Sequence, residues 1–137
     1  MKLENKIAFV TGAAQGMGAA IVREFVAQGA VVYAADINAE AIEASVAELG
    51  GRARAVVCNV LDEAGVQAAV QRLSDEAGRL DVLGNTAGPG SVDSFLDTPV
   101  EHWDRVVGVN LKGTFLCARE AARLMVSKDT AGTIINF

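Results

Sequence analysis

Short, wholly apolar runs alternate along the chain with longer stretches in which apolar residues return every three or four positions. The first run, Lys6-Ile7-Ala8-Phe9-Val10-Thr11, stops at a glycine cluster and predicts a strand buried on both faces. From Met17 to Gln28, Ile21, Val22, Phe25 and Val26 recur at helical spacing, and Gly29 closes that helix. Val31 to Ala35 predicts a second strand ending at Asp36, followed by a helix from Ala39 to Leu49 that stops at Gly50-Gly51. Arg54 to Cys58 predicts a third strand. Asp62 is placed to cap the next helix, to about Ala77, by accepting first-turn N–H groups. Leu80 to Leu83 predicts a fourth strand, before a loop rich in Gly, Asn, Pro and Ser. Thr98-Pro99-Val100-Glu101 has the form of a capping box with proline at the first helical position. The helical pattern beyond it breaks near Gly113 and runs to about Lys128, and Gly132 to Phe137 predicts a fifth strand.

Strand and helix alternate throughout, with connections long enough for crossovers, so the expected fold is α/β: a parallel sheet with helices on both faces. No repeat, low-complexity stretch or linker divides residues 1–137, which are expected to form one domain. A length of 137 residues, 51% hydrophobic and 21% charged, excludes disorder on composition. The net charge of −5 gives no footprint for nucleic acid or an anionic membrane surface. The longest apolar runs, about five or six residues, are too short to span a bilayer, and no apolar signal core precedes the first strand. Cys58 and Cys117 lie in apolar-periodic segments, which suits buried free thiols in a reducing cytoplasm.

The chemistry begins at Thr11-Gly12-Ala13-Ala14-Gln15-Gly16-Met17-Gly18, between the first strand and the first helix. A strand feeding a helix leaves unpaired N–H groups where the helix dipole favours negative charge. Glycines there permit a tight turn and let a pyrophosphate approach the backbone. Asp36 ends the second strand eighteen residues after Gly18, close to where a ribose-binding carboxylate belongs. It would accept from ribose hydroxyls and repel a 2′-phosphate, and neither Gln15 nor Ile37 supplies a compensating cation. NAD is therefore favoured over NADP.

The Thr-Gly-x-x-x-Gly-x-Gly spacing resembles that of the short-chain dehydrogenase/reductase family, and further motifs match in order. Cys58-Asn59-Val60 falls where the family has Asp-Val beside the adenine. Leu80-Asp81-Val82-Leu83-Gly84-Asn85-Thr86-Ala87-Gly88 resembles its fourth strand and Asn-Asn-Ala-Gly turn. Trp103 to Gly113 resembles the helix that carries an active-site asparagine, here Asn110. The resemblance covers essentially the whole chain. It implies a Rossmann-like sheet in strand order 3-2-1-4-5, the first five strands of a seven-stranded fold. It also implies a cofactor site of Gly12, Gln15, Gly16, Met17, Gly18, Asp36, Asn59, Val60, Asn85, Ala87 and Gly88, with Asn110 as catalytic residue and no metal. Two departures stand out. Asn59 replaces an aspartate, though its amide oxygen still accepts hydrogen bonds. Thr86 replaces the turn's second asparagine, where one hydroxyl bond in place of an amide's full set should loosen the turn locally.

Family chemistry is hydride transfer between nicotinamide and a secondary alcohol or carbonyl, served by a tyrosine, a lysine four residues later, a serine and an asparagine. The only tyrosine is Tyr33, with Ile37 four residues on, and no Tyr-x-x-x-Lys occurs. Of the four roles Asn110 alone is represented. His102, the only histidine, is expected on the surface, and Trp103 packed against the body of the protein. The resemblance thus implies the N-terminal part of a longer oxidoreductase, a dimer or tetramer when complete, acting on a small alcohol or carbonyl. The 137 residues alone are expected to be inactive. The alternative is a non-catalytic nucleotide-binding or regulatory module.

Overall fold

In a computed structural model, which describes residues 1–90 and 93–137, the apolar runs become strands and the periodic stretches helices. In chain order these are β1 (Ile7–Thr11), α1 (Gly16–Ala27), β2 (Val31–Asp36), α2 (Ala39–Ala47), β3 (Ala53–Val57), α3 (Glu63–Ala77), β4 (Val82–Asn85), α4 (Val100–Val107), α5 (Thr114–Ser127) and β5 (Thr133–Asn136). The strands form one parallel sheet in the order β3-β2-β1-β4-β5, as expected. Phe9 of β1 stands in register with Tyr33 on one side and Leu83 on the other.

Alternate residues of each strand feed opposite faces. Phe9, Tyr33, Ala35, Val56 and Leu83 pack with Val66, Val70 and Leu73 of α3 and Leu116, Cys117, Ala121 and Leu124 of α5. Ala8, Val10, Val32 and Ala34 face the other way, against Val22 of α1 and Ile42 of α2. Phe9, Tyr33, Leu73 and Leu83 are wholly buried. Each such aliphatic or aromatic side chain contributes about 1.5–3 kcal/mol by leaving water. Two packed faces explain why the central strands read as continuous apolar runs rather than alternating ones. Among the described residues β5 pairs with β4 alone, and all four of its residues are exposed. No helix among the described residues is long and apolar enough to cross a membrane.

Helix starts depart from expectation in two places. Gly29 does close α1, with φ of +94°. Asp62 occupies the cap position of α3, yet its carboxylate makes no capping bond and lies against Gly65. The capping box does not form. The Pro99 carbonyl accepts from the His102 and Trp103 N–H groups, so proline is the cap itself and the helix starts one residue later than expected. The Thr98 hydroxyl instead donates to the Ser94 carbonyl, 2.9 Å away across the 3-10 turn Phe95–Asp97. Trp103 is 62% exposed rather than packed on the body. The expected break near Gly113 is a π-helical stretch, Gly108–Gly113, joining α4 to α5 without a change of direction into a loop. Such wide turns leave backbone carbonyls free of their usual partners and recur at functional sites.

Candidate functional site

All the strand C-termini open toward one edge of the sheet, and a cleft of about 580 Å³ lies there, within the usual range for small-molecule sites. Its floor is the glycine loop. Gly12 and Gly16 hold φ of +64° and +55°, backbone that other residues adopt at a cost. A Cβ on Gly12 would fall 2.7 Å from Ala87 Cα, and one on Gly18 2.2 Å from the Gly12 carbonyl oxygen. These two glycines let the loop, the start of α1 and the end of β4 close on one another. Gly16 differs: a Cβ there meets nothing within 4 Å. Gln15, in extended conformation at the α1 cap, makes no side-chain capping bond, so no side chain of its own occupies the first-turn N–H groups.

Asp36 ends β2 at the cleft, and the loop holds it in place. Its Oδ2 accepts from Ala14 N at 3.1 Å and its Oδ1 from Asn38 N at 3.0 Å. A carboxylate offers about four acceptor positions, so each oxygen keeps capacity for a further donor. The loop is tied to β2 a second time through Ala13 N, which donates to the Ala35 carbonyl at 3.0 Å.

Across the cleft, Asn59 and Val60 follow β3. Asn59 Oδ1 already accepts from Leu61 N at 3.0 Å in a local turn. Val60 is buried beneath the π-helical stretch, so close that a Cβ on Gly113 would fall 2.6 Å from a Val60 methyl. The remaining wall is Thr86, Ala87, Gly88 and Pro89 beyond β4, with Arg105 and Val109 from the helix above. The Thr86 hydroxyl donates to the Thr11 carbonyl, and Thr11 Oγ1 accepts from Thr86 N and Ala87 N at 3.3 Å each. Thr86 therefore makes the single strand-to-strand bond expected of a hydroxyl.

Of the sequence-derived cofactor residues, Gly12, Gln15, Gly16, Met17, Gly18, Asp36, Asn59, Val60, Ala87 and Gly88 all line this one cleft. Asn85 does not. It is buried in β4, where its Nδ2 donates to Asn136 Oδ1 of β5 at 2.9 Å. Its own Oδ1 has no partner among the described residues. Asn110 stands at the rim rather than in the wall. Its Nδ2 donates to the Val106 carbonyl at 2.9 Å and reaches the Pro89 carbonyl at 3.4 Å. Its Oδ1 fills the place a Cβ on Gly88 would take, so that glycine is required for the helix to meet the loop.

Ile37, Cys58, Thr86, Pro89, Arg105 and Val109 also line the cleft; Cys58 and Thr86 fall within matched motifs, and none of the six was expected to bind the cofactor. The one usable signal was spacing: Arg105 and Val109 stand four apart, on one helix face, immediately before Asn110. Burial pushes the Cys58 thiol up to about 11, helped by the Asp62 charge, so it faces the cleft as an inert neutral group. Tyr33 has no access to the cleft. It is wholly buried in β2, donating to Glu76 at 3.1 Å and accepting from Arg54 at 2.8 Å. His102 is less of a surface residue than expected: its side chain is 20% exposed, Nδ1 pairs with Asp93, and Nε2 is buried without a hydrogen-bond partner among the described residues. Among the described residues no group of three or more His, Cys, Asp or Glu converges as a metal site.

The chain has counterparts among known proteins. The family model for short chain dehydrogenase matches residues 6–137. D-threitol dehydrogenase of Mycolicibacterium smegmatis is 40% identical over 139 residues, covering 99% of this chain and 53% of that protein. Meso-2,3-butanediol dehydrogenase of Serratia marcescens is 38% identical, covering 99% and 54%. A short-chain type dehydrogenase/reductase from Mycobacterium marinum superposes with a TM-score of 0.93 at 33% identity, covering 98% of this chain and 54% of that one. The 3-ketoacyl-(acyl-carrier-protein) reductase from Brucella melitensis, solved with NADH, gives 0.91 at 33% identity, covering 98% and 57%. The chain spans about half the length of the curated relatives it matches. It belongs to the short-chain dehydrogenase family.

Proposed function

We propose that this chain is the NAD-binding portion of an oxidoreductase that interconverts a small secondary alcohol and its carbonyl. The observation that carries the proposal is Asp36, held by Ala14 N at the end of β2 so that its carboxylate faces the cleft floored by the glycine loop. The residues fit a dinucleotide. The uncapped start of α1 and the open space over Gly16 suit a pyrophosphate, which the helix dipole would attract. Asp36 would accept from the adenosine ribose hydroxyls, with Asn59 and Val60 beside the base. Ala87 and Gly88 would border the cofactor's other half. The nicotinamide, when bound, gives or takes the hydride. Asn110, at the rim above Gly88 and Pro89, would present its amide toward the reacting end and support proton transfer there.

The substrate class rests on the relatives, two of which are named for a polyol and a diol. No Tyr-x-x-x-Lys occurs in these 137 residues, so they should bind the dinucleotide without turning over an alcohol. Exposed Leu111 and Phe115 on the α4–α5 helix support self-association as a dimer or tetramer, and the two buried free thiols suit a cytoplasmic location.

Calorimetry with NADH and NADPH tests the cofactor assignment. Asp36→Asn, which keeps an acceptor for Ala14 N, should weaken NADH about tenfold, the scale of a charge-assisted bond, and should narrow the preference over NADPH. Equal losses for both cofactors would remove the ribose role from Asp36.

A further inference from the structure

The cleft wall holds one acidic and one basic side chain, Asp36 and Arg105. Asp36 is tied to two backbone N–H groups. Arg105 is exposed and, among the described residues, has no hydrogen-bond or ion-pair partner. An unpaired guanidinium aimed at a cleft in a chain of net charge −5 is not explained by the fold.

Its position can be fixed from the helix. A Cβ on Gly108 would meet the Leu61 methyls at 3.5 and 3.7 Å, and one on Gly113 would press on Val60. The helix therefore rests on the loop after β3. Arg105 precedes Gly108 by three residues and Val109 by four, so it sits one turn outward on the same face. Arg105 thus lines the cleft from the helix that rests on the Asn59–Val60 wall, five residues before Asn110. A planar cation reaching over an apolar-walled slot is suited to lie on an aromatic base.

Resting on the nucleotide reading above, we propose that Arg105 is the outer cover of the adenosine pocket, its guanidinium stacked on the adenine ring. Ile37, 67% exposed at the end of β2, and buried Val60 supply apolar surface, and Arg105 closes the solvent side. The helix that carries Asn110 would then hold both ends of the cofactor at once, with Arg105 and Val109 at the base and Asn110 near the nicotinamide.

Calorimetry on the chain with ADP-ribose, NADH and nicotinamide mononucleotide separates the possibilities. Arg105→Ala should weaken ADP-ribose and NADH alike, by roughly three- to tenfold, and leave the mononucleotide unchanged. Arg105→Lys should lose nearly as much, because a point charge does not replace a planar stack, and the loss should persist at 0.5 M salt. Full rescue by lysine, a loss abolished by salt, or an equal loss for the mononucleotide would each overturn the stacking role. Undiminished ADP-ribose binding by Arg105→Ala would overturn it while leaving the nucleotide site standing. Failure of the unsubstituted chain to bind ADP-ribose would overturn the nucleotide site and this proposal together.

Discussion

The three loop glycines should respond differently to one added methyl group, because each is glycine for a different reason. At Gly16 the only obstacle is the backbone: φ is +55° and a Cβ meets nothing within 4 Å. Alanine there costs the left-handed penalty, about 1–2 kcal/mol. At Gly18 the backbone is ordinary helix, but the Cβ would fall 2.2 Å from the Gly12 carbonyl oxygen and 2.6 Å from Thr86 Oγ1. The first neighbour is main chain and cannot swing aside. The second would have to give up its bond to the Thr11 carbonyl. Overpacking of about 1–3 kcal/mol plus a hydrogen bond of about 1 kcal/mol puts Gly18→Ala near 2–4 kcal/mol. Gly12 combines both faults, φ of +64° and a Cβ 2.7 Å from Ala87 Cα, and should be the worst of the three.

Urea unfolding followed by circular dichroism measures the order. With the slope usual for a small protein, a gap of 1–2 kcal/mol separates two midpoints by about 1 M. Gly16→Ala should lie nearest the unsubstituted chain, Gly18→Ala well below it, and Gly12→Ala lowest. Affinity should rank in another way. Gly16→Ala projects its methyl into the cleft, and should lower NADH affinity about tenfold or more while leaving most of the stability in place. A Gly18→Ala chain as stable as Gly16→Ala would refute the close-packing account of the loop.

Two further outcomes can be checked on the same material. Glu76 is held down to about 2, chiefly by Arg72 and Arg54, and Asp81 lies below its ordinary value because the Ile7 N–H, Arg79 and Lys6 outweigh the opposing effect of burial. Both carboxylates are depressed, so their stabilisation is complete above the unfolded-state values near 4.5 and 3.8 and is lost as pH falls through the folded ones. Urea midpoints should therefore hold level down to about pH 5 and drop toward pH 2, and Glu76→Gln should make that drop shallower. Burial pushes the Cys58 and Cys117 thiols up to about 11 and about 12, so a disulfide reagent at pH 7.5 should label neither thiol in the folded chain and both in 8 M urea. Rapid labelling of the native chain would contradict the burial of the α3–α5 face.

Most of the fold was legible because burial on both faces forces apolar runs and one-sided burial forces helical periodicity. Val31 to Ala35 could be little else, since every side chain of that run enters one of two cores. Helix ends were harder to read. Thr98 and Asp62 are good capping residues, but a cap needs a particular chain direction as well as an oxygen. The Phe95–Asp97 turn brings the Ser94 carbonyl to the Thr98 hydroxyl first, and Asp62 is drawn against Gly65. The cleft followed the same division. Residues given by local motif, the loop and the strand ends, are where spacing put them. Arg105 and Val109 reach the cleft because one helix crosses the loop after β3, a contact between positions some fifty residues apart that their helical spacing alone does not record.

Thr86 illustrates how a departure from a motif can be absorbed. An asparagine there would carry two N–H donors and a carbonyl acceptor on a longer side chain, whereas threonine has a single O–H to donate from a shorter one. It spends that donor on the Thr11 carbonyl, while the acceptor role passes to the other hydroxyl, Thr11 Oγ1, which takes Thr86 N and Ala87 N together. Two threonines on adjacent strand ends thus share the work of one amide. The arrangement is compact, since Thr86 Oγ1 sits 2.6 Å from where a Gly18 Cβ would be. It follows that Thr86 and Gly18 depend on each other. Thr86→Asn would add an amide where the loop has closed down on a hydroxyl, and Gly18 would have to move to admit it. Restoring the common residue at position 86 should therefore destabilise this chain rather than strengthen it, by about 1–2 kcal/mol of overpacking. The urea midpoint of Thr86→Asn decides the matter: a rise would mean that the loop tolerates the amide and that the two hydroxyls are not matched to its packing.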